Sequence, residues 1–154
     1  MSNTKELDLI IWGATGFTGQ LVSDYINKKY SSSDLKWGIA GRNKEKVTDV
    51  AKRLNIVKDR IFIADSNDIE SLIKLTSNTK VICTTVGPYA KYGSNLIEAC
   101  IKTNTNYCDI TGETQWIRKM IDKYHSKAKE NKIKIINSCG FDSIPSDMGV
   151  FYSQ

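Results

Sequence analysis

The chain has 154 residues, 40% hydrophobic and 25% charged, with 22 basic against 17 acidic side chains and a formal net charge of +5. This length suits one domain that buries a core without staples, and the composition excludes a disordered chain. No stretch approaches the ~20 apolar residues needed to cross a bilayer, and Met1 to Glu6 is too polar for a secretory signal.

Leu7 to Trp12 is an almost continuous apolar run, interrupted at Asp8, and predicts a strand covered on both faces. It breaks into Gly13-Ala14-Thr15-Gly16-Phe17-Thr18-Gly19. From Phe17 the period becomes helical, with Phe17, Leu21, Val22, Tyr25 and Ile26 expected on one face. After the polar loop Ser31 to Asp34, residues 35–40 read as a second strand. Asn43 then caps a helix that turns Val47, Val50, Ala51 and Leu54 inward. Residues 61–64 predict a third strand. Ser66 precedes the next helix, whose first turn is expected to hold Asp68 and Glu70 and whose Ile69, Leu72 and Ile73 face inward.

Residues 81–86 predict a fourth strand, broken by Gly87-Pro88, and Leu96, Ile97, Cys100 and Ile101 mark a helix behind it. A fifth strand is expected at 106–110, and Thr114 is the expected cap of a long basic helix. A sixth strand follows at 133–137, then the opening of another helix with Ser146 as its cap. This alternation is the rhythm of an α/β, Rossmann-type, doubly wound and mainly parallel six-stranded sheet with helices on both faces. Right-handed crossovers predict the strand order 3-2-1-4-5-6. Residues 1–154 thus read as one NAD(P)-binding domain, and the barely begun last helix suggests the N-terminal part of a longer protein without its substrate domain.

The glycines act by lacking a Cβ: they allow a tight turn, close approach of backbone to a pyrophosphate, and close packing of helix on strand. The helix start presents free N–H groups and the positive end of its dipole to phosphates. Gly13, Gly16 and Gly19, spaced one residue wider than G-x-G-x-x-G, are therefore candidate cofactor residues, joined by Thr15, Phe17 and Thr18. An NAD-preferring site places a carboxylate at the end of the second strand. Here stands Ala40-Gly41-Arg42-Asn43, and the Arg42 guanidinium suits a 2′-phosphate, so NADP is expected in preference to NAD. Asp65 and Ser66 close the third strand where an adenine edge often lies, with helix capping the equal alternative for Asp65. Val86, Gly87 and Pro88 close the fourth, across the point where the strand order reverses.

The excess positive charge gathers between Arg118 and Lys134, opposite an apolar stripe of Ile117, Met120, Ile121, Tyr124 and Ala128. This reads as a solvated outer helix face; contact with an acidic membrane surface is the alternative. No aromatic residues interleave with the lysines, so nucleic acid is not expected as a partner. Cys83, Cys100, Cys108 and Cys139 show no C-x-x-C spacing and read as small buried hydrophobes in a reducing, cytoplasmic compartment; an organelle or lipid-droplet surface stays open. His125 is the single histidine, so neither a metal site nor a histidine triad is expected.

Taken together, GATGFTG at 13–19, AGR at 40–42, VGPYAKYG at 86–93, YCDITGE at 107–113 and CGFDSIPSD at 139–147 resemble the saccharopine dehydrogenase-like oxidoreductases. Trans-acting enoyl reductases of lipid biosynthesis look similar in the same segments. The resemblance implies a Rossmann domain with Gly13, Gly16 and Gly19 under the pyrophosphate and Arg42 near the adenosine ribose. It also implies that Val86 to Tyr89 and Gly140 to Ser143 surround the nicotinamide end, with a second α/β domain closing over the substrate.

Tyr25-x-x-x-Lys29 matches the catalytic pattern of short-chain reductases but falls at the wrong end of its helix. Tyr89 and Tyr92 are candidate substrate contacts or proton donors, and Asp142 a candidate for ordering its loop or binding substrate. The expected function is hydride transfer by an NADP-dependent oxidoreductase, with a dinucleotide and a small-molecule or lipid substrate as partners. A non-catalytic dinucleotide sensor or scaffold, or a redox-neutral enzyme, fits the same fold. The residues fix no oligomeric state, and a homo-oligomer is compatible with them.

Overall fold

In the computed structural model, which describes residues 5–154, the sheet consists of β1 (Leu7–Trp12), β2 (Trp37–Gly41), β3 (Ile61–Ile63), β4 (Thr79–Thr84), β5 (Asn106–Asp109) and β6 (Ile135–Ile136). The strands are parallel throughout and lie in the order β3-β2-β1-β4-β5-β6, as the alternation of patterns predicts. The helices are α1 (Phe17–Lys29), α2 (Lys44–Arg53), α3 (Ile69–Ser77), the short α4 (Tyr89–Tyr92), α5 (Ser94–Thr103), α6 (Thr114–Glu130) and α7 (Ile144–Tyr152).

Side chains alternate across the sheet and feed two cores. Ile11, Trp37 and Ile39 meet Val22 and Ile26 of α1 and Val47, Val50, Ala51 and Leu54 of α2. Ile10, Trp12, Ile82 and Tyr107 meet Leu72 and Leu75 of α3, Leu96 and Ile97 of α5, and Trp116 and Met120 of α6. Burial on both faces explains why β1 and β2 read as nearly unbroken apolar runs.

The inward face of α1 differs from the expected one. Gly19 and Ser23 are its buried residues. Phe17, Leu21 and Tyr25 are 82%, 55% and 59% exposed. A glycine rather than a large apolar residue sets the rotation of the helix: a Cβ on Gly19 would lie 2.0 Å from the Gly13 carbonyl oxygen. Only at that position can α1 approach the preceding turn so closely. The Ser23 hydroxyl donates to the Gly19 carbonyl at 2.7 Å, which satisfies a polar group against the strand.

Strand edges and caps also shift. β2 and β4 span Trp37–Gly41 and Thr79–Thr84, and β6 contracts to Ile135–Ile136. Asp68 caps α3 rather than lying in its first turn, accepting from the Glu70 and Ser71 N–H groups. Thr114 is the first residue of α6 rather than its cap, and Ser146 lies inside α7, which buries none of its residues. On α6 the buried stripe is Trp116, Met120, Tyr124 and Ala128, while Ile121 is 44% exposed. Of the cysteines only Cys100 is buried; Cys83 and Cys108 are half-buried register partners on β4 and β5, and Cys139 is half-buried in the loop after β6.

Gly19→Ala is expected to destabilise the fold by about 3 kcal/mol, the upper part of the range for overpacking, because the added methyl meets backbone that cannot rotate away. Urea denaturation checks this. A midpoint equal to that of wild type would show that α1 is not pinned at Gly19.

Candidate functional site

At the carboxyl ends of the strands an open crevice of about 320 Å³ lies where β1 separates β2 from β4. Its walls include Gly13, Thr15 and Gly16 from the β1–α1 turn, Gly41 and Arg42 after β2, Asp65, Ser66 and Asn67 after β3, and Val86, Gly87 and Tyr92 after β4. Strand order places it there: the connection after β1 runs towards β2 and the one after β4 towards β5, which opens a gap between the adjacent ends of β1 and β4.

The turn that floors the crevice is built from backbone. Gly13 and Ala14 donate their N–H groups to the Ala40 carbonyl at 3.0 and 3.2 Å, and Gly16 N–H donates to the Gly13 carbonyl at 3.0 Å. Gly13 has φ +91°, in the left-handed region, and a Cβ there would also lie 2.6 Å from Val86 Cγ2. Gly16 is different: a Cβ on it would meet only the Gly13 carbonyl, at 3.4 Å, so its outer side faces open space.

Gly16 occupies the cap position of α1 with no side chain to accept from the first turn, and that turn holds no acidic residue. The leading N–H groups of a helix have no acceptor within it, and here an anion can supply one. By contrast Asn43 caps α2 through Lys46 N–H at 2.9 Å, and Asp68 caps α3. The Arg42 side chain stands exposed just before α2, with Lys44 and Lys46 in the first turn behind it. These features fit a phosphorylated dinucleotide: backbone donors for a pyrophosphate and a guanidinium at the adenosine end.

The other candidate residues divide. Gly19 is buried under α1 and contributes packing, while Phe17 is exposed and, with Thr18 and Pro88, lies outside the crevice lining. Asp65 accepts from Asn67 N–H at 2.9 Å, which shapes the loop after β3. Gly87 and Pro88, joined by a cis peptide, lead into α4. Tyr92 is half-buried and lines the crevice.

Tyr89, 5% exposed, stacks near Trp116, and its hydroxyl donates to the Thr84 carbonyl at 3.1 Å. Burial is the main cause pushing the Tyr89 phenol up to about 12, while the hydrogen bond from Ile110 N–H opposes it. Asp142 is exposed and outside the lining, as are Tyr25 and Lys29 at the far part of α1. Sequence reasoning missed Trp12, Gly41 and Asn67 as wall residues. It also missed Glu113, whose carboxylate accepts from Tyr89 and Ala90 N–H at 2.6 and 2.8 Å. Its place at the close of the YCDITGE segment marked it without showing what it holds.

Among the described residues no group of three His, Cys, Asp or Glu side chains is placed to hold a metal ion. No described helix is long and apolar enough to cross a membrane.

Residues 9–136 match the family model described as the saccharopine dehydrogenase NADP binding domain. The trans-acting enoyl reductase of Mycobacterium tuberculosis is 39% identical over 149 residues, which are 96% of this chain and 35% of that protein. The chain thus spans about a third of the length of the curated relatives it matches. Among solved structures, saccharopine dehydrogenase (L-Glu forming) of Saccharomyces cerevisiae superposes with a TM-score of 0.72 at 20% identity, covering 88% of this chain and 28% of that one. Triphenylmethane reductase of Citrobacter sp., solved with NADP(H), gives 0.64 at 18% identity over 84% of this chain and 48% of that one. With the fold, the glycine turn and the match in agreement, the chain belongs to the saccharopine dehydrogenase NADP-binding domain family.

Proposed function

We propose that this chain is the cofactor-holding part of a larger NADP-dependent oxidoreductase that reduces an activated C=C bond. The observation that carries the reading is the uncapped start of α1, lying over a turn of bare backbone and facing a crevice with a guanidinium at one end. The name of the relatives at 39% identity, enoyl reductase, supports a double bond conjugated to an acyl carbonyl over C=O or C=N as the group reduced. The substrate-binding part lies in the portion of such relatives that this chain does not span, and residues 1–154 alone bind the dinucleotide without efficient turnover.

NADPH, when bound, supplies the hydride. The unpaired N–H groups at the start of α1, behind the glycine turn, would hold the diphosphate, and Arg42 would pair with the 2′-phosphate and orient the adenosine. Gly87 gives the backbone close approach to the nicotinamide ribose. Holding two reactants in line and excluding water supplies much of the acceleration such a transfer needs. Tyr92, on the crevice wall, is the better placed tyrosine for a substrate contact or proton transfer. The Tyr89 hydroxyl is committed to the Thr84 carbonyl and holds its proton more tightly than a free phenol.

Isothermal titration of this chain tests the cofactor reading. Wild type is expected to bind NADP more tightly than NAD. Arg42→Ala is expected to lose about tenfold or more in NADP affinity with little change for NAD, the scale of one charged hydrogen-bonding partner. Absence of heat with either nucleotide would overturn the reading; equal loss for both would remove Arg42 from the 2′-phosphate.

Tyr89 gives a second test. An unfolded tyrosine ionises near pH 10, whereas native Tyr89 does so at about 12. Between those values the unfolded chain holds fewer protons, so stability present below pH 10 falls as pH rises through the window. Denaturant midpoints taken across pH 10–12 should decline more steeply for wild type than for Tyr89→Phe. Parallel slopes would show that the buried phenol does not titrate as described.

A further inference from the structure

The loops after β4, β5 and β6 are tied into one hydrogen-bonded unit by two carboxylates. Asp109, 1% exposed at the end of β5, is gripped by donors on every side. Its Oδ2 accepts from the Tyr107 hydroxyl at 2.8 Å and the Asn137 amide at 2.7 Å. Its Oδ1 accepts from Thr111 N–H at 3.1 Å and Ser138 N–H at 3.0 Å. Ser138, held in the left-handed region at φ 59°, returns a bond from its hydroxyl to the Thr111 carbonyl at 2.7 Å.

Thr111 passes the connection on. Its Oγ1 accepts from Glu113 N–H at 3.1 Å, and the two oxygens of the Glu113 carboxylate take the N–H groups of Tyr89 and Ala90. Those two residues open α4, so the carboxylate fastens its first turn where the dipole favours negative charge. The segment fastened in this way contributes Val86, Gly87 and Tyr92 to the crevice, yet Asp109, Thr111 and Glu113 are absent from its lining.

From this geometry we infer that Asp109 and Glu113 are positioning residues: through Thr111 they set the wall Val86–Tyr92 against the reactive end of the bound dinucleotide. The inference rests on the crevice being the NADP site. It differs from a purely structural role because a carboxylate at each end is required. An amide of the same shape turns one acceptor into a donor facing a donor, which releases one tether and keeps the volume. A relaxed wall is expected to affect the nicotinamide half most, since the glycine turn, although Gly13 also lies against Val86, and Arg42 are held in addition by α1, β2 and α2.

The test is a titration of the 154-residue chain with NADP and with 2′-phospho-ADP-ribose, which lacks nicotinamide. Wild type should bind NADP more tightly than the truncated nucleotide. In Glu113→Gln the affinity for NADP is expected to fall about five- to tenfold, towards that of 2′-phospho-ADP-ribose, whose own affinity changes less than about twofold. Saturation transfer to the nicotinamide protons should weaken in step. Thr111→Val, which cuts only the link to Glu113 N–H, is expected to show the same split and carries the test if Glu113→Gln does not fold. Equal losses for the two nucleotides, or no loss for either, would overturn the positioning role. So would a wild type that binds both ligands equally, although the dinucleotide reading would survive that result. A wild type that binds neither ligand would defeat the dinucleotide reading and this inference with it.

Discussion

The contact between Gly19 and the backbone of Gly13 and Ala14 governs the rest of the molecule. It brings α1 against the end of β1 at a separation no side chain allows, and so decides where the first turn of the helix points. The crevice, the open outer side of Gly16 and the division of α1 into a small inner face and a large exposed one all follow from that approach. Phe17, Leu21 and Tyr25 lie outside because backbone contact had already fixed which side of the helix is inner.

The strand order was legible because each strand is short, apolar and separated by a helical period, and the handedness of crossovers leaves few alternatives. One side of the crevice was legible for a related reason: glycines at 13 and 16 and an arginine after the second strand line it, near where they stand in the chain. The face of α1 was legible only in Val22 and Ile26, since hydrophobic periodicity weighs large residues and gives a glycine no weight. Caps were missed where several polar residues stood in a row. Asp65, Ser66, Asn67 and Asp68 all suit the start of α3, and only backbone geometry selects Asp68.

Glu113 and Asp109 show a further limit. Their distant partners lie 23 to 29 positions away along the chain, and no local pattern shows which distant N–H group a carboxylate will meet. The family resemblance singled out the segment that holds both residues without stating what they do. Tyr89 and Tyr92 show how far neighbouring residues of one type diverge: three positions apart, one is sunk against Trp116 and the other stands in the crevice wall.

The unfinished cap on α1 joins the two halves of this account. Asn43 and Asp68 complete their helices with the chain's own atoms, whereas the start of α1 behind Gly16 has no side-chain acceptor. Folding and occupancy are therefore thermodynamically linked. A nucleotide held at a hundred times its dissociation constant adds about 2.7 kcal/mol to the folded state, a large share of what a small domain possesses. A nucleotide bound to the folded chain would also slow its cleavage by proteases, which act on opened forms.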